Sequence, residues 1–125
     1  MAKHNDLGKS GEDTAVEFLQ NNGHKVLVRN YRFGKAEVDI VSKHGKFIVF
    51  TEVKTRSSFA FGNPEEFVDK KKRLLMKRAA DEFMHQQKLD AEIRFDIISV
   101  SSEKGELKIY HIQDAFFNEE DEKYN

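Results

Sequence analysis

The sequence predicts an α/β domain: a mixed five-stranded sheet flanked by helices. Three observations lead there. Two segments carry apolar residues at helical spacing and five read as strands, with Gly and Pro punctuating the chain between them. The order is helix, three strands, helix, two strands, which favours helices packed on a mixed sheet. The length of 125 residues suits one domain, expected over residues 1–117 with an acidic, disordered tail over 118–125.

The first helix is expected over about Gly8–Asn22. Leu7, Gly11, Ala15, Phe18 and Leu19 recur on one face, and Gly23 stands where a C-terminal cap belongs. Lys25–Phe33, Ala36–Ser42 and Phe47–Thr55 read as strands, the last two joined by a hairpin around Lys43-His44-Gly45-Lys46. A loop from Arg56 to Pro64 holds the only proline. A long helix follows over about Phe67–Lys88, with Val68, Leu75, Met76, Ala79, Phe83 and Met84 along one stripe. Glu92–Val100 and Glu106–His111 are the remaining strands, and a helical turn is expected at Asp114–Phe117.

Composition narrows the function. With no cysteine, disulfides, thiolate metal sites and cysteine nucleophiles are excluded. No apolar run approaches the roughly 20 residues of a membrane-spanning helix, and the first residues lack the apolar core of a signal peptide. A soluble cytoplasmic protein with no membrane partner is therefore expected. The net charge of −1 conceals an uneven distribution. The tail carries −3, whereas Lys54–Arg78 holds eight basic residues against Glu65, Glu66 and Asp69. Such a basic stretch suits a phosphate-bearing partner. Five histidines show no metal-ligand spacing and are expected at the surface or in turns.

The chemistry concentrates in Ala36-Glu37-Val38-Asp39-Ile40-Val41 and Phe50-Thr51-Glu52-Val53-Lys54. Alternation along a strand puts Glu52 and Lys54 on one face. A hairpin centred on His44-Gly45 would set Val41 opposite Ile48, Asp39 opposite Phe50 and Glu37 opposite Glu52. Asp39 then shares the face of Glu52, one diagonal step away. Carboxylates gathered there repel unless something compensates, and a divalent cation would. Two carboxylates with a backbone carbonyl and water suit Mg²⁺, with Lys54 neutralising charge on a phosphate. On the first helix, Glu12 borders the buried stripe and is placed to reach the same region.

Asp39 followed by Glu52-Val53-Lys54 resembles the core of the PD-(D/E)XK nuclease superfamily. Gly11-Glu12 with Ala15, Arg29-Asn30-Tyr31-Arg32, Glu37-Val38-Asp39, Glu52-Val53-Lys54-Thr55-Arg56, Gly62, Pro64, Lys70 and Arg94-Phe95-Asp96 occur in order. Together, over about residues 8–117, they resemble the YraN-like family of small bacterial endonuclease-like proteins, similar in fold to archaeal Holliday-junction resolvases. Two positions depart from the pattern: Ala36 stands where the family usually has Gly, and Val38 replaces the Pro of the superfamily's name.

The resemblance implies a restriction-endonuclease-like core and a Mg²⁺-dependent nuclease, with Mn²⁺ as a substitute. It makes Asp39 and Glu52 metal ligands, the Val53 carbonyl a further ligand, Lys54 the residue that assists the attacking water, and Glu12 the helix carboxylate of the catalytic and metal set. Arg32, Arg56, Lys70 and Arg73 are the expected contacts to the nucleic-acid backbone, with DNA, branched or single-stranded, favoured as partner. Symmetric cutting of two strands would require a homodimer. The alternatives are a nucleic-acid-binding module inactive without a partner, and a protein-interaction domain.

Overall fold

Tight turns organise the sheet. In the computed structural model, which describes residues 3–57 and 68–116 with side chains from residue 11 onward, helix α1 spans Lys3–Asn21. Strands β1 (Lys25–Phe33), β2 (Ala36–His44) and β3 (Phe47–Arg56) follow, then helix α2 (Lys70–Gln87) and strands β4 (Glu92–Glu103) and β5 (Glu106–Ile112). The strands lie in sequence order, β1-β2-β3-β4-β5. Two-residue turns join β1 to β2, β2 to β3 and β4 to β5, and each contains a glycine at positive φ: Gly34 (61°), Gly45 (59°) and Gly105 (80°). These three junctions are antiparallel, whereas β3 and β4 run parallel, as strands joined through a helix do. The expected α/β architecture, consistent with a restriction-endonuclease-like core, is thus present.

The helices cover opposite faces. Ala15 and Leu19 of α1 pack on Ile40, Ile98 and Val100. Met76, Ala79, Ala80 and Phe83 of α2 pack on Val38, Val41, Ile48, Phe50, Phe95 and Ile97. Gly11 brings α1 against β3 so closely that a Cβ there would collide with the Thr55 side chain. After α1, Gly23 (φ 88°) closes the helix as expected, with His24 N–H donating to the Leu19 carbonyl at 2.9 Å.

Several boundaries differ from those the sequence suggested. Helix α1 starts at Lys3 rather than Gly8, because a glycine weakens a helix without stopping it. Helix α2 starts at Lys70 rather than Phe67, because Asp69 caps it: the Asp69 side chain accepts from the Lys72 N–H at 2.9 Å. Residues 113–116 form turns rather than a helix. The loop expected to run to Pro64, with Gly62, and the acidic tail over 118–125 lie outside the described residues.

The β2–β3 register is the most consequential correction. The turn is Gly45-Lys46, not His44-Gly45, so Val41 pairs with Phe50 and Ile40 with Thr51. The displacement is two residues, which preserves the faces. Extended one step, this register puts Asp39 opposite Glu52 itself rather than diagonal to it.

Pairing stops short of that step, and side-chain alternation breaks there as well. Ile40 packs under α1, yet Val38, two residues away, packs under α2. In β1 the same break falls at Asn30, which adopts φ 55° between the pairs Arg29–Ile40 and Tyr31–Val38. Arg29 consequently reaches Glu12 of α1, whereas Tyr31 packs edge-on against Phe83 of α2, ring centroids 5.2 Å apart. Asp39 sits at this fault, and its Oδ2 accepts from the Val53 N–H at 2.7 Å, lying in the sheet where a backbone carbonyl would otherwise be.

Below the fault, toward the start of β4, lies a second polar cluster. Asp96 is fully buried and accepts from Arg94 Nε and Nη2, both at 2.9 Å, and from the Asp114 N–H at 3.0 Å, with His111 Nε2 at 2.8 Å. His24 stacks on His44 with ring centroids 4.1 Å apart and places Nδ1 2.9 Å from Ser42 Oγ. The histidines were expected at the surface or in turns; His24 is instead buried, because packing of the end of α1 over the sheet encloses it.

Candidate active site

The candidate site lies where β2 and β3 part beneath the first turns of α2. A cleft of about 510 Å³ opens there, lined by Asp39, Glu52, Val53, Glu37, Lys71 and Lys72 among others. Glu52 is 4% exposed, unusually low for a carboxylate. Strand alternation turns it toward α2, and Lys72 Nζ meets its Oε2 at 2.6 Å. Lys54, two residues along β3 on the same face, approaches that oxygen at 3.4 Å.

The electrostatics are unbalanced at Asp39. Burial and the neighbouring Glu52 charge lift its carboxyl to about 7, against the smaller opposing effects of the Val53 N–H and Lys72. Burial works against the charge of Lys72, but the Glu52 hydrogen bond and the Glu52 and Asp39 charges outweigh it and hold the ammonium above its ordinary range. Two carboxylates thus share a half-open, low-dielectric cleft, which is the arrangement a divalent cation relieves.

The donors at hand fit such an ion as a two-carboxylate site. Asp39 and Glu52 supply hard oxygens. The Val53 N–H points at Asp39, and the carbonyl of the same residue faces the same side of the strand, into the gap. A third carboxylate is not part of this group: among the described residues, no cluster of three His, Asp or Glu side chains is placed to hold a metal. Glu12 lies on the α1 side of the sheet, where its Oε1 accepts from Arg29 Nη2 at 2.8 Å, from Arg29 Nε at 3.2 Å and from Asn30 Nδ2 at 3.2 Å. Its charge still contributes to raising Asp39.

The structure therefore brings Asp39, Glu52, Val53 and Lys54 together and sets Glu12 behind them. The expected backbone contacts are dispersed. Arg32 is exposed and pairs with Glu37 at 3.2 Å; Arg56 is half-buried at the end of β3; Lys70 is exposed at the start of α2; and Arg73 is half-buried one turn on. The basic residues lining the cleft are Lys35, Lys71 and Lys72. Lys72 escaped the sequence reading, although it lies four residues before buried Met76 and so begins the inward stripe of α2.

Comparison with known proteins identifies the chain's relatives. The family model described as "Uncharacterised protein family UPF0102" matches residues 11–100. A UPF0102 protein of Flavobacterium psychrophilum is 51% identical over 118 residues, covering 94% of this chain and 99% of the relative. One from Christiangramia forsetii is 49% identical over 117 residues, covering 94% and 98%. Another, from Caldicellulosiruptor saccharolyticus, is 46% identical over 114 residues, covering 89% and 97%.

Proposed function

The chain belongs to the uncharacterised protein family UPF0102, and from the geometry of its cleft we propose that it is a divalent-metal-dependent nuclease hydrolysing phosphodiester bonds in DNA. The observation that carries this reading is the pairing of Asp39, set into the parted β2–β3 ladder, with buried Glu52 facing it and Lys54 two residues beyond. Asp39, Glu52 and the Val53 carbonyl would hold Mg²⁺, with Mn²⁺ able to replace it. A bound cation of this kind polarises a phosphate and makes water a better nucleophile. Lys54 would orient that water and offset charge accumulating on the phosphate.

Glu12 has a supporting part in this reading: from behind the sheet its charge and its Arg29–Asn30 anchors shape the field at Asp39. Lys35 and Lys71 at the cleft would hold the nucleic-acid backbone without reading sequence, with Arg32, Arg56, Lys70 and Arg73 as contacts for strand outside it. Among the described residues no helix is long and apolar enough to cross a membrane.

The test is a gel assay of the purified chain on labelled single-stranded, duplex, flap and four-way-junction DNA, with Mg²⁺, Mn²⁺, Ca²⁺ or EDTA. Cleavage is expected with Mg²⁺ or Mn²⁺ and to vanish in EDTA, in Glu52→Ala and in Lys54→Ala. Cleavage that survives both substitutions would overturn the assignment. Shifted but uncut DNA under every condition would favour a binding module that needs a partner.

A further inference from the structure

We propose that Lys72 is the internal counter-ion of this site: its ammonium holds Glu52 and faces Asp39 in the metal-free protein, and it gives way when a divalent cation binds. The inference rests on the metal-dependent reading above and adds a competition that the reading does not contain.

The geometry is that of an occupied position. Lys72 Nζ lies 2.6 Å from Glu52 Oε2, closer than Lys54 at 3.4 Å, and lines the same cleft as both carboxylates. With Asp39 and Glu52 ionised, the two ammoniums balance the two carboxylates. Adding a divalent cation would leave a surplus of two positive charges in a half-enclosed space, so one ammonium must move away.

Lys72 is the one an entering cation meets first, because it lines the cleft and Lys54 does not. Both ammoniums sit on flexible stems of similar exposure, 36% for Lys72 and 31% for Lys54, so position in the cleft separates them. The Lys72 backbone is fixed by the Asp69 cap, so only the side chain need swing. Lys71, the next residue back, lines the same cleft, and a phosphodiester entering it would meet both ammoniums. The residue that guards the carboxylates in the empty site would thus become a phosphate contact in the loaded one.

The experiment measures Mn²⁺ affinity without DNA, by titration calorimetry and electron paramagnetic resonance, in wild type, Lys72→Met, Lys72→Arg, Lys71→Met and Glu52→Gln. Removing the competitor should tighten Mn²⁺ binding about tenfold in Lys72→Met, the size expected for a hydrogen bond between charged groups. Lys71→Met removes the same charge from the cleft lining but not the bond to Glu52, and should change affinity less than about twofold. Lys72→Arg keeps a cation on Glu52 and should bind no more tightly than wild type. Thermal unfolding supplies a second readout: Lys72→Met should melt lower than wild type in EDTA and gain more from Mn²⁺.

If Glu52→Gln abolishes Mn²⁺ binding while Lys72→Met leaves it unchanged or weaker, the counter-ion assignment fails and the nuclease reading stands. Equal tightening in Lys71→Met and Lys72→Met would also overturn it, since general charge would then be the cause. Should neither wild type nor Lys72→Met bind Mn²⁺ at millimolar concentration, both readings fall. Binding in Lys72→Met alone would support the proposal.

Discussion

Two aspartates on neighbouring regions of the same sheet, Asp96 buried and Asp39 half-buried, have opposite electrostatic fates. Asp96 is surrounded by donors: a two-pronged Arg94, His111 and the Asp114 N–H. Burial alone would raise its pKa, but these hydrogen bonds and the Arg94 charge outweigh it and hold the carboxyl below its ordinary value. Asp39 receives a hydrogen bond from the Val53 N–H, shares the cleft with Glu52 and feels the Glu12 charge from behind the sheet, and burial with like charge lifts it to about 7. The first arrangement is closed; the second opens on a cleft. The difference teaches where to look for function: a polar cluster that satisfies itself suits a structural part, and a carboxylate raised by burial and like charge beside a cleft is a functional-site candidate.

The comparison is broken most directly at Asp96. Asp96→Ala leaves the Arg94 guanidinium buried and unpaired and should cost about 3–5 kcal/mol in urea unfolding. A loss below about 1 kcal/mol would mean the cluster is no structural pin.

The next largest effect is read against pH. His24 is held at about 4 by burial first, then by the charges of His44 and Arg94. The unfolded chain therefore takes up a proton between pH 6.5 and 4 that the folded chain refuses. The stability His24 contributes is full above pH 6.5 and lost as pH falls toward 4, on the order of 3 kcal/mol. Asp39, whose pKa is raised, acts in the opposite sense over much of this interval, so the quantity to measure is wild type minus His24→Asn in EDTA. That difference should shrink as pH falls; a constant difference would show that His24 is not held neutral.

A sharper contrast comes from Asp39→Asn. The amide keeps an acceptor for the Val53 N–H and removes the repulsion with Glu52. Stability should stay within about 1 kcal/mol of wild type or rise, while metal-dependent cleavage falls at least about a hundredfold. Activity and stability moving down together would place Asp39 with Asp96 as a structural group. The smallest effect belongs to the exposed Lys46–Glu92 pair at 3.1 Å, where Lys46→Ala should cost less than about 1 kcal/mol. It is the control for surface charge.

Strand alternation was enough to bring Asp39 and Glu52 to one cleft, even though the turn was misplaced, because a two-residue displacement preserves the faces as far as the paired residues run. The break at Asn30 and Asp39 was not legible: alternation assumes a regular pleat, and only the packing of Ile40 under α1 and Val38 under α2, with Asn30 at φ 55°, exposes the fault. Lys72 was partly legible from its spacing to Met76, but four consecutive basic residues, Lys70–Arg73, all look alike to a charge count. The Asp96 cluster was hidden for another reason. Its side chains come from the ends of separate strands and the close of α1, which only the folded sheet brings together.

The sheet also has two edges, since β1 and β5 each have a strand neighbour on one side only among the described residues. β1 carries exposed Leu27 and Phe33, and its charged residues Lys25, Arg29 and Arg32 are interleaved with them. Charge on an edge strand discourages it from templating a second chain. Arg29 therefore has a colloidal duty beside its grip on Glu12. Replacing it with valine would favour self-association as well as loosening that carboxylate, so light scattering belongs beside any activity measurement on an Arg29 variant.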